Sequence, residues 1–108
     1  MMETKEIQRM VHQNAKDKGW WDGDTNIPEK LALIHSEASE ALEDYREIRM
    51  ITIISEDGKP EGFPSELADI VIRVLDLAEY LGIDLGIEIE SKHLYNLRRP
   101  HKHGGKRC

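Results

Sequence analysis

The sequence predicts an all-α protein, a four-helix bundle completed by oligomerisation. Three observations carry this. Apolar residues recur at helical spacing in four separate stretches, no run of alternating Val, Ile and Thr is long enough to build a sheet, and the third stretch is apolar around nearly its whole circumference.

The first helix is expected from about Thr4 to Lys18, with Ile7, Met10, Val11 and Ala15 at helical spacing, Thr4 as a candidate N-cap and Gly19 as its stop. A polar connection from Gly19 to Asn26 follows, carrying the paired Trp20 and Trp21. Rings of this size need a partner: a neighbouring helix or subunit, or, for one of them, a stacked base. Pro28 suits the first turn of a second helix, which directs Leu31, Ile34, Ala38, Ala41, Leu42 and Tyr45 inward and runs to about Arg46 or Ile48. Met50 to Ile54 is β-branched and apolar, compatible with a last helical turn or a short extended piece; Ser55 to Pro64 is a loop by its turn residues. Ser65 is expected to cap a third helix that ends at Gly82, and a fourth is expected from near Asp84 to Arg99, where Pro100 stops it.

In the third helix Leu67, Ala68, Ile70, Val71, Ile72, Val74, Leu75, Leu77, Ala78 and Leu81 leave room for one narrow polar stripe, Glu66, Asp69, Arg73 and Asp76 at i, i+3, i+7 and i+10. Such a helix predicts burial on nearly every side. A chain of 108 residues buries only about 60% of its unfolded surface. Three short partners cannot cover it, so a homo-oligomer, dimer or tetramer, is expected.

Length makes residues 1–108 a single domain, with a basic tail over about 100–108. The one cysteine, Cys108, excludes an internal disulfide and fits a reducing compartment; with no signal-peptide core and no apolar stretch near the 18 or so residues of a membrane helix, a cytoplasmic location and no membrane partner are expected. The net charge is −6, but residues 91–108 hold six cations and no acid, leaving nine cations against 21 acids, or −12, in the first 90. An acidic body repels nucleic acid, whereas a cationic segment attracts phosphate. The pattern suggests a small phosphorylated ligand held between unlike surfaces, or simply a solvated basic tail.

Glu37 and Glu40 on the second helix, and Glu66 and Asp69 on the third, are each spaced i, i+3, which sets the two Cβ atoms about 5–6 Å apart on one face. If the helices pack antiparallel with these faces together, four acids converge. Two like charges 4 Å apart cost about 4 kcal/mol at an effective dielectric of about 20, so such a cluster either protonates or binds cations. An all-oxygen donor set selects Mg2+, or Mn2+, over zinc, and magnesium commonly takes further ligands from substrate phosphates. Glu90-x-x-His93 is a single Glu-x-x-His where di-iron bundles need two, and His101, His103 and Cys108 make a poorly preorganised zinc set. Nucleophilic triads, a P-loop and a dinucleotide-binding glycine pattern are absent.

Glu37-x-x-Glu40, then Glu66-x-x-Asp69, then Lys92-x-x-x-Asn96-x-x-Arg99 extended by Pro100-x-Lys102-His103-Gly104-Gly105-Lys106, resembles the MazG-like nucleotide pyrophosphohydrolases of the all-α NTP pyrophosphatase superfamily over roughly residues 29–106. The family often opens its first motif with two adjacent acids; here the earlier position is Ser36, leaving four carboxylates. The resemblance implies a MazG-like four-helix fold and Mg2+-dependent hydrolysis of a (d)NTP between the α and β phosphates, giving (d)NMP and pyrophosphate. It implies Glu37, Glu40, Glu66 and Asp69 as metal ligands, with Glu37 or Glu40 activating the water. Lys92, Asn96, Arg99, Lys102, His103 and Lys106 would contact the phosphates. Trp20, Trp21 and Phe63 are the aromatic candidates for base stacking. The alternative class is a non-catalytic helical module that binds nucleotide or nucleic acid through residues 92–107.

Overall fold

A computed structural model describes residues 2–100 of the chain. They form α1 (Thr4–Asp17), α2 (Ile27–Arg46), a hairpin of β1 (Ile53–Ile54) and β2 (Pro60–Glu61), α3 (Phe63–Tyr80) and α4 (Leu85–Leu97). Among the described residues the structure is mostly helical, with α3 central, packed on α1 and α2. Arg73 of α3 meets Glu37 of α2, whereas Glu66, earlier in α3, lies by Glu40, later in α2, so these two helices run antiparallel. α4 packs lightly on α1 and sits beside the three-helix core.

Local chemistry explains most boundaries. The Asn26 side chain accepts a hydrogen bond from the Glu29 amide at 3.0 Å, and Pro28 occupies the first turn of α2. Asp84 caps α4 in the same way, through the Ile87 amide. α1 and α3 both close with a glycine in left-handed conformation, Gly19 and Gly82. In each, the next amide reaches back to the last-turn carbonyls, Trp20 to Ala15 and Ile83 to Ala78.

Several expectations are corrected. Thr4 is inside α1; the N-cap is Glu3, with no side-chain hydrogen bond. Ser65 does not cap α3, which starts two residues earlier behind Gly62, and its hydroxyl instead donates to the Pro60 carbonyl at 3.3 Å. Of the two conformations open to the Ile-rich stretch the extended one is found, and it pairs antiparallel as a two-residue ladder, Ile53 with Glu61 and Ile54 with Pro60, around a turn at Gly58 that the Asp57 carboxylate braces. Apolar positions expected to face inward, among them Met10, Leu31, Leu42, Tyr45, Leu67, Val71 and Ile72, are exposed in the single chain, whose buried apolar core is Ala15, Ala41, Leu75 and Ala78.

Polar contacts pin α1 in place. Gln8, the most buried large side chain, donates to Glu79 Oε1 and to the Ile83 carbonyl and accepts from the Leu85 amide, tying α1 to the α3–α4 turn. His12 Nδ1 lies 2.7 Å from Asp76 Oδ1, which also accepts from Trp21 Nε1 at 2.9 Å. A buried carboxylate with two donors on one oxygen is a satisfied group, and it anchors both α1 and the tryptophan loop to α3.

Candidate functional site

The antiparallel packing of α2 and α3 turns two i, i+3 spacings into one cluster. Glu37, Glu40 and Glu66 each offer a carboxylate oxygen within 4.8 Å of the others. Glu37 and Glu66 are half-buried and Glu40 is exposed. Asp69 stands outside this triad, close enough to Glu66 and Glu37 for their charges to interact, and half-buried. Three of the four expected ligands therefore converge, and the fourth flanks them. Asp44, one turn beyond Glu40 on the same face of α2, is a buried acid that acts on Glu66 as well. Its spacing from Glu37 and Glu40 continues theirs at i+7, the feature of the sequence that points to it.

Burial, followed by the charges of Asp69, Glu40, Asp44 and Glu37, pushes Glu66 up to about 7. Asp69 is raised too, mainly by burial and the charge of Glu37, with Arg73 and Lys59 opposing. Glu66 Oε2 is sealed from solvent and lacks a hydrogen-bond partner. A buried carboxylate oxygen without a donor costs about 1–3 kcal/mol or more, so the site is built for a proton or a cation. Oxygen-only donors at this spacing fit a hard divalent ion.

One cation already faces the cluster. Arg73 directs Nε and one terminal nitrogen to Glu37 Oε1, both at 3.2 Å, and its guanidinium carbon lies 4.5 Å from the Trp20 ring centroid. Beside it opens a cavity of about 480 Å3, lined by Glu37, Asp69, Arg73 and Asp76 on one side and by Trp20 and apolar side chains of α1 on the other. The polar stripe of α3 thus faces the cluster and this cavity.

Of the three aromatic candidates, only Trp20 lines the cavity. Trp21 is stacked on Tyr80, with centroids 4.2 Å apart and planes 8° from parallel, and the Lys30 ammonium stands 4.2 Å from its centroid. Phe63 opens α3 and packs by Tyr45. Lys92, Asn96 and Arg99 lie exposed on or just past α4, where Lys92 and Arg99 flank the Tyr95 ring. α4 packs on α1, not on α2, so within the single chain the basic motif does not pack against the acidic helix. Lys102, His103 and Lys106 lie outside the described residues, as do His101 and Cys108. No described helix is long and apolar enough to cross a membrane.

Sequence reasoning placed Arg73 and Asp76 on the polar stripe without giving either a role. It missed Gln8 and His12, whose partners lie 64 or more residues away in the chain. No family model, curated protein or solved structure matches the chain.

Proposed function

We propose that the chain is a Mg2+-dependent nucleoside triphosphate pyrophosphohydrolase, cleaving a (d)NTP between the α and β phosphates, and that it works in the cytoplasm as a homo-oligomer. The observation that carries the reading is the convergence of Glu37, Glu40 and Glu66 from two helices, around a buried Glu66 oxygen that nothing else satisfies. A bound Mg2+, or Mn2+ in its place, supplies neutralisation of phosphate oxygens and acidification of a water near neutral pH. Glu37, Glu40 and Glu66 hold the ion and Asp69 completes or extends the set. Glu40, the exposed member, has a second carboxylate oxygen to orient the attacking water and take its proton while the first faces the ion. Lys92, Asn96 and Arg99 are the phosphate contacts, Arg99 being the one that offers a bidentate fork. Because α4 packs away from α2, the reading assigns their meeting with the cluster to the assembled oligomer.

The test is pyrophosphate release from a panel of canonical and modified (d)NTPs with and without Mg2+. Turnover is expected only with the metal, and Glu40→Ala or Asp69→Ala is expected to lower it at least 100-fold with helicity and oligomer size intact. Inorganic phosphate as the product, or no turnover of any triphosphate, overturns the assignment.

A further inference from the structure

Three carboxylates within 4.8 Å repel one another, and the outer one on the cavity side, Glu37, has open space to retreat into. What opposes that retreat is Arg73. Both of its contacts fall on the same oxygen, Oε1, and no hydrogen bond reaches Oε2 among the described residues. The side chains of the pair are 25% and 12% exposed, so water screens the contact weakly. The guanidinium is itself held, by its stem on α3 and by the Trp20 ring 4.5 Å from its centre. A lysine could supply the charge here, but neither the two-nitrogen grip nor a plane to lie on the indole.

We propose that Arg73 is a positioning residue for the metal site: it fixes the Glu37 carboxylate through Oε1, leaves Oε2 for a divalent ion, and couples that ion to the Trp20 wall of the cavity. The inference rests on the metal-site reading above and goes beyond it, because it gives a cation inside an acidic site a constructive role. The competing account is that Arg73 is only a resident counter-ion, displaced when a metal arrives. The two differ in sign. A counter-ion opposes metal binding, so removing its charge tightens binding and exchanging it for Lys changes little. A positioning residue loses its function with its geometry, even when the charge stays.

The experiment is Mn2+ binding to the full chain without nucleotide, read by the electron paramagnetic resonance of free Mn2+, beside the tryptophan emission change on adding Mg2+. Arg73→Lys is expected to raise the Mn2+ Kd about tenfold or more, the usual scale for losing a residue that orients a ligand. The wild-type emission change is expected to vanish in both Trp20→Phe and Arg73→Lys. If Arg73→Lys does not fold, judged by melting in EDTA, Trp20→Leu tests the same coupling, with a weaker Mn2+ Kd expected. An unchanged Kd in Arg73→Lys, or in Trp20→Leu where that is the variant used, overturns the proposal; so does tighter binding in Arg73→Gln. Either result leaves the metal site standing, provided wild type binds Mn2+. A wild type that binds no Mn2+ overturns both.

Discussion

Glu66 carries the clearest consequence at the scale of single residues. Its carboxyl ionises near the ordinary 4.5 when the chain is unfolded and near 7 when folded. Between those values the folded state holds the extra proton, so this contribution to stability is complete below about 4.5 and is lost as pH rises to about 7. Asp69, raised as well, acts in the same direction. In EDTA the difference in melting temperature between pH 5 and pH 8 is expected to shift toward higher stability at pH 5, and Glu66→Gln is expected to remove that part. Added Mg2+ needs the ionised form, so its stabilisation is expected to be larger at pH 8 than at pH 6. A Glu66→Gln protein with the wild-type pH profile would refute the assignment. The acids were legible because helical periodicity fixes which of them share a face; that the two faces meet was only a condition, which the antiparallel packing of α2 and α3 fulfils for Glu37, Glu40 and Glu66. The role of Arg73 was not legible. Its partner Glu37 is 36 positions away on another helix, and spacing along α3 reports only that Arg73 shares a stripe with Glu66, Asp69 and Asp76.

The four helices were readable from period and punctuation to within one or two residues, with the start of α3 as the exception. There the sequence offers Ser65, a good cap, and the backbone prefers Gly62, which lies at φ 112° against the Ile51 carbonyl. A Cβ on Gly62 would sit 2.2 Å from that oxygen. Gly62→Ala is therefore expected to cost about 2 kcal/mol or more in thermal or urea unfolding. The end of α2 gives the opposite case. Its closing turn has the same hydrogen bonds as α1 and α3, Ile48 to Tyr45 and Arg49 to Asp44, but puts Ile48 at φ 59° where the others use glycine. Ile48 is 81% exposed, so packing does not compensate the strain. Ile48→Gly is expected to stabilise by about 1 kcal/mol, or roughly 4–8 °C in Tm. A lower Tm would mean that Ile48 is covered in the native assembly.

That possibility leads to the whole molecule, where the all-round apolar character of α3 was legible and its covering was not. Among the described residues four apolar side chains are buried and 22 large ones are exposed, spread over all four helices and the hairpin. α4 shows the same deficit locally: it has no buried residue, yet exposes Ile87, Ile89, Leu94, Tyr95 and Leu97. Periodicity could not say where such a helix goes, because within the chain it packs only lightly on α1 and its large apolar residues stay exposed. A second copy is the simplest occupant, since it brings an equal apolar area. Sedimentation equilibrium at micromolar concentration is expected to give at least twice the 12.5 kDa chain mass. Val71→Lys, on the exposed side of α3, is expected to shift the protein toward monomer and to lower its melting temperature with it, since a second copy that binds only the folded chain stabilises it by mass action. A wild-type monomer that keeps full helicity at micromolar concentration would show that these faces need no second copy, and the assembly would then drop out of the proposed function.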